Sequence, residues 1–134
     1  MKCLLDTNVC IKYLNGRSAN IRQKVTFHGS QEILLCSIVK AELFYGAMKS
    51  NNPQKTLAHQ YQFVNRFQSI PFDDNSAEVY SQIRSDLERR GTPIGPNDLL
   101  IASMAIANDL ILVTHNTREF GRIRDLNIED WEAN

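Results

Sequence analysis

The sequence carries no excess of charge of either sign: Lys and Arg total 15, and so do Asp and Glu. A zero formal net charge gives no support to a strong non-specific nucleic-acid binder, which is basic overall. A local basic rim around an acidic site stays open. Cysteine is sparse. Cys3, Cys10 and Cys36 are odd in number, widely spaced and without a CxxC pair. That argues against a disulfide framework or a zinc site and for buried free thiols in a reducing cytosol. No apolar run approaches the length of a membrane span, and the first residues lack a signal-peptide pattern. The expectation is a cytoplasmic protein with no membrane contact. Internal repeats, low-complexity tracts and linkers are also missing. What remains is 134 residues, 43% of them hydrophobic, which predicts one domain over 1–134 with a sizeable core.

The apolar pattern alternates between strands and helices. Lys2 to Leu5 reads as a short buried strand, and Thr7 and Asn8 are capping residues before a helix through Val9 to Leu14. Gly16-Arg17-Ser18 breaks the run, and a second helix covers Ala19 to Phe27. Glu32 to Cys36 is a second strand, with Ser37 expected to cap a helix to about Met48. Pro53 suits the first turn of the next helix, where Leu57, Tyr61, Val64 and Phe67 recur at helical spacing. Ser69 to Phe72 is a third strand. Asp73 to Ser76 start a helix striped by Val79, Tyr80, Ile83 and Leu87, and Gly91 ends it. Asn97 to Asn108 is a helix apolar nearly all round. Leu110 to Val113 is a fourth strand, Thr114 to Phe120 a turn with a short helix, and Leu126 to Trp131 a fifth strand. The strands are continuous apolar runs, so the chain is predicted to be α/β, with a parallel sheet covered on both faces.

Three acids stand out against this pattern. Asp6 ends the first strand, Glu42 lies on the apolar side of its helix beside Val39, Leu43 and Gly46, and Asp98 opens the most apolar helix. Acids are rarely placed on buried faces unless they are paired or hold a metal. In open parallel sheets, sites form at the carboxyl ends of the strands, where all three are expected. Like charges raise one another's pKa, and burial does the same. A divalent cation relieves both effects. All-oxygen ligands favour Mg²⁺ or Mn²⁺ over Zn²⁺, and the chemistry that fits is metal-assisted phosphodiester hydrolysis. Asn116 or Glu119 supplies a fourth corner: Asn116 by holding a ligand water or a carboxylate, Glu119 by completing the acidic ring. Thr7 and Asn8 are candidates to orient Asp6, Ser37 and Thr114 to support the site. His115 is read as a surface imidazole. Lys12, Lys40, Arg84, Arg89, Arg90 and Arg118 are candidates for a phosphate-binding rim, each also an ordinary solvated charge. An aspartyl-phosphate enzyme would be expected to carry a second aspartate two residues after Asp6, where this chain has Asn8.

Taken together, the motifs resemble a known family. They are Leu5-Asp6-Thr7-Asn8, Ser37-Ile38-Val39-Lys40-Ala41-Glu42-Leu43-Phe44-Tyr45-Gly46, Ile94-Gly95-Pro96-Asn97-Asp98-Leu99-Leu100-Ile101-Ala102 and Val113-Thr114-His115-Asn116-Thr117-Arg118-Glu119-Phe120. In this order and spacing they look like the successive motifs of PIN-domain ribonucleases, and more narrowly of VapC toxins from type II toxin–antitoxin pairs. The resemblance runs through the closing Leu126 to Trp131. It implies a three-layer α/β/α domain with a mainly parallel sheet of about five strands. It also implies an endoribonuclease dependent on Mg²⁺ or Mn²⁺, acting on tRNA or rRNA. Asp6, Glu42 and Asp98 carry over as catalytic, metal-binding acids, and Glu119 is a candidate further ligand. Many family members have Asp where this chain has Asn116, which bears on a second metal. Homodimerisation, inhibition by a cognate VapB-type antitoxin, and contact with DNA only through that antitoxin are implied as well. The RNA-binding residues are not given by the motifs.

Overall fold

The computed structural model describes residues 1–133. In chain order the elements are β1 (Cys3–Leu5), α1 (Thr7–Asn15), α2 (Ala19–Glu32), β2 (Ile33–Cys36), α3 (Ser37–Met48), α4 (Pro53–Val64), β3 (Gln68–Ile70), α5 (Asp74–Arg89), α6 (Pro96–Ala107), β4 (Ile111–Val113), α7 (Thr117–Phe120) and β5 (Ile128–Glu129). The strands make one sheet in the order β3-β2-β1-β4-β5. Every pairing is parallel, so the sheet is wholly rather than mainly parallel. Helices cover it, with α1, α3 and α4 packed together and α5 against α6. Among the described residues no helix is long and apolar enough to cross a membrane.

Burial follows from position in the sheet. Central β1 and β2 are buried at every residue, as expected of strands with helices on both faces. Edge strand β3 buries only Ile70. Leu4, Leu5, Leu35, Leu112, Ile101 and Met104 are fully enclosed, and truncating such a side chain to alanine costs about 2–5 kcal/mol. Cys3, Cys10 and Cys36 are free thiols inside this core. Burial pushes the Cys3 thiol up to about 11.

Several local expectations shift. Ser37 is not a cap. Strand β2 runs straight into α3, so extended Cys36 holds the N-cap position without a side-chain bond, and Ser37 is the exposed first helical residue. At the first helix Asp6 is the cap, accepting from Thr7 N, while Thr7 is already helical. Gly29 adopts φ 72° and interrupts α2, a conformation that favours glycine. A further turn then carries the chain to Glu32, beyond the expected end at Phe27. Phe67 lies outside α4, which stops at Val64; it is buried by an edge-on contact with Phe63 at 5.1 Å. Strand β3 ends at Ile70 rather than Phe72. The last strand is only Ile128–Glu129, because Leu126 and Trp131 are buried outside the ladder.

Candidate functional site

The sheet order places a switch point beside β1. The chain moves from β1 through β2 to β3 in one direction, then crosses back to β4 and β5. Ligands of open α/β sheets bind at the carboxyl ends of strands flanking such a point. Asp6 leaves β1 there, Thr114 leaves β4 beside it, and Glu42 comes from α3. Asp98 is in the first turn of α6, whose dipole favours a negative charge.

Asp6 is the most enclosed of these acids, at 5% exposure. Its backbone N–H donates to Val113 O at 3.0 Å, which ties it to β4. Oδ1 accepts from Thr7 N at 2.7 Å and Oδ2 from the Thr114 hydroxyl at 2.8 Å. Thr114, fully buried, also accepts from Asn116 N at 3.0 Å. One hydroxyl therefore fixes both the carboxylate and the loop after β4. Burial raises the Asp6 pKa and Glu42 adds to it, while the bonds from Thr114 and Thr7 pull the other way.

Glu42 is half-exposed rather than buried, although it shares the face of buried Val39 and Leu43. Its two oxygens are nevertheless oriented. Thr7 Oγ1 donates to Oε1 at 2.5 Å, and Asn97 Nδ2 donates to Oε2 at 3.2 Å. Asn97 is a site residue that the sequence pattern misses; its position next to Asp98 is the one signal that points to it. Asp98 is pushed up to about 6, by burial first and then by the charges of Asp6, Glu119 and Glu42. Four acids from four separated segments thus share one field.

Asn116 caps α7, its side chain accepting from Glu119 N at 3.5 Å, while the Glu119 charge acts on Asp98. Asn8 and Ser37 are exposed. His115 lies at the surface against Asp130, 3.0 Å away. Of the basic rim, Lys12 is paired with Glu132, Arg84 with Glu88, and Arg89 and Arg90 with Asp86.

The donors suit a hard cation. All are oxygens, and their mutual repulsion is what a divalent ion offsets. Among the described residues no three His, Cys, Asp or Glu side chains form a ready metal cage. The oxygens of Asp6 and Glu42 already accept hydrogen bonds, although each keeps a free lone pair. A cation here would draw much of its shell from water, as Mg²⁺ does when few carboxylates hold it.

Comparison with known proteins agrees with this architecture. Residues 3–126 match the PIN domain family. The chain is 40% identical over 131 residues to the tRNA(fMet)-specific endonuclease VapC of Salmonella typhimurium, covering 98% of each. It is 38% identical over 130 residues to ribonuclease VapC2 of Rickettsia felis, covering 96% of this chain and 97% of the other. In the solved structure of DNA-bound VapBC from Salmonella typhimurium, a chain 40% identical superposes with a TM-score of 0.92 over 98% of both chains. The chain therefore belongs to the PIN-domain family and, within it, to the VapC ribonucleases of VapBC toxin–antitoxin systems.

Proposed function

We propose that this single-domain chain is an endoribonuclease dependent on Mg²⁺ or Mn²⁺, that it cuts tRNA or rRNA, and that a cognate VapB-type antitoxin holds it inactive. The observation that carries the proposal is the shared field of Asp6, Glu42, Asp98 and Glu119, which drives Asp98 up to about 6. Such a field is unfavourable in an empty protein and useful around a cation.

In this reading Asp6 and Asp98 hold the ion directly, with Glu42 and Glu119 completing the ring directly or through water. When bound, the ion would supply an activated water and neutralise charge on the phosphodiester. The chain's own residues do the positioning. Thr114 and the Thr7 amide keep Asp6 facing the crevice. Thr7 and Asn97 keep Glu42 turned toward it, where its carboxylate can accept a proton from the attacking water.

A transfer-RNA substrate is supported by the relative named as tRNA(fMet)-specific. The antitoxin, and DNA contact through it, are supported by the VapBC structures bound to DNA. A homodimer and a cytoplasmic location belong to the same proposal. The test is cleavage of total cellular RNA by purified protein, with EDTA, Mg²⁺ or Mn²⁺, followed by mapping of the new ends. Cleavage that persists undiminished in EDTA, or in Asp98→Asn, would remove the acidic centre from the mechanism.

A further inference from the structure

Away from the acids, α1, α2 and α4 surround a shallow pocket of about 270 Å³ lined by Tyr13, Leu14, Arg22, His59, Phe63 and Arg66. Its character is cationic. Arg22 and Arg66 are exposed, and among the described residues neither forms an ion pair with a carboxylate. Neutral groups hold them instead. Arg22 Nη2 donates to Tyr13 O at 2.9 Å, and its guanidinium lies 5.0 Å from the Tyr13 ring. Arg66 Nη1 donates to the Tyr13 hydroxyl at 2.9 Å and lies 5.2 Å from the Phe67 ring. Tyr13 itself is stacked on Phe63 at 4.6 Å. His59 Nε2 sits 3.2 Å from Leu14 O, so that nitrogen donates.

A structural role accounts for only part of this. Tyr13 O already accepts from Gly16 N at 3.3 Å, and Arg22 adds a second, charged donor at this end of α1. Arg66 has no helix carbonyl to cap here, yet it converges on the same tyrosine. Each guanidinium carries five donors and commits one to Tyr13. Two fixed cations without a counter-charge repel one another, and a phosphate would both relieve the repulsion and match their forked donors. Stacking on aromatic rings keeps the forks pre-organised. Tyr13 lies seven residues along α1 from Asp6, about 10 Å by helix rise, within reach of a nucleic-acid strand that also enters the acidic crevice.

We infer that Tyr13, Arg22, His59 and Arg66 form a subsite for a backbone phosphate of the RNA, away from the bond that is cut. The subsite rests on the ribonuclease reading and deepens it. It supplies local positive charge on a chain of zero net charge, and it positions the strand without reading its sequence.

The test uses the full chain with Asp98→Asn to suppress cleavage and a fluorescein-labelled initiator tRNA as probe. Binding is followed by anisotropy in Mg²⁺ over a series of salt concentrations. Adding Arg22→Gln and Arg66→Gln should raise Kd several-fold. It should also flatten the plot of log affinity against log salt, by about 0.7 for each phosphate that the protein no longer neutralises. The lysine pair, Arg22→Lys with Arg66→Lys, should restore most of the slope. If the double glutamine variant fails to fold, Arg66→Gln alone gives the same readout. Unchanged Kd and slope in a folded variant overturn the subsite while leaving cleavage by the unmodified chain intact. Weaker binding of purified antitoxin with RNA binding unchanged assigns the pocket to that partner and also overturns it. If the unmodified chain cuts no RNA and the Asp98→Asn chain binds none, the ribonuclease reading falls, and the subsite with it.

Discussion

The Thr7 hydroxyl donates a 2.5 Å hydrogen bond to Glu42 Oε1, across 35 positions of sequence. It joins the first turn of α1, next to Asp6, to the middle of α3. With Asn97 at the other oxygen, this side chain on the buried floor aims Glu42. Thr7→Val keeps the shape and removes the donor. Because Glu42 is half-exposed, water replaces part of the bond, and the stability loss should be about 1 kcal/mol. The loss in RNA cleavage should be larger, roughly 10- to 100-fold, as for other groups that orient metal-site carboxylates. Thr7→Ser should recover most of it. Equal kcat/KM for Thr7→Val and the unmodified chain would show that Glu42 needs no such aim.

Asp98 should make the metal-free protein sensitive to pH in an unusual direction. Its folded pKa of about 6 lies above the ordinary 3.8, so the folded state keeps its proton to higher pH than the unfolded chain. Stability is then lost as pH rises from about 4 to about 6 and stays lower above that. Asp6, also raised, adds in the same sense. In EDTA the protein should melt higher at pH 5 than at pH 7. Asp98→Asn should raise the melting temperature at pH 7 by a few degrees and shrink that difference. The helix dipole favours the charge at this position, while burial and the charges of Asp6, Glu119 and Glu42 push the other way. Millimolar Mg²⁺ should give a similar gain by mass action. Thermal melts that leave the pH slope unchanged in Asp98→Asn would assign it to other groups.

Thr114→Val tests the other support. It leaves Asp6 Oδ2 without its donor in a site that is 5% exposed. The Asp6 pKa should rise further, because a bond that now lowers it is gone. Half-maximal activity should need about tenfold more Mg²⁺, while Thr114→Ser should titrate like the unmodified chain. The two titration curves, run at pH 7, decide the point; coincident curves would make Thr114 a packing residue only.

The order of strands and helices was legible because each apolar run is short, continuous and bounded by breakers. Asp6, Glu42 and Asp98 were legible because each acid interrupts a pattern that has no place for it. Exposure was harder. Glu42 shares a helical face with buried Val39 and Leu43, yet it lies at the rim where α3 meets α6, and only tertiary packing sets that boundary. Ser37 misled because β2 runs into α3 with no intervening loop, which moves the cap back to Cys36; Phe67 misled because it lies in the turn after α4 yet is still buried, against Phe63. Asn97 was hidden because an amide at a helix start is so often only a capping residue, and nothing in the spacing says that it reaches Glu42.

The parallel pairing of β1 with β4 has a consequence for synthesis. Asp6 is the first of the acids to leave the ribosome, yet its orienting partner Thr114 follows 108 positions later. Parallel neighbours so distant in sequence cannot form while the chain is short. The earliest site acid therefore waits for β4 before its carboxylate is fully oriented. A centre built this way stays without its oriented Asp6 until β4 and Thr114 have been made, so the crevice is ordered only after the segments that hold Glu42 and Asp98 are already in place.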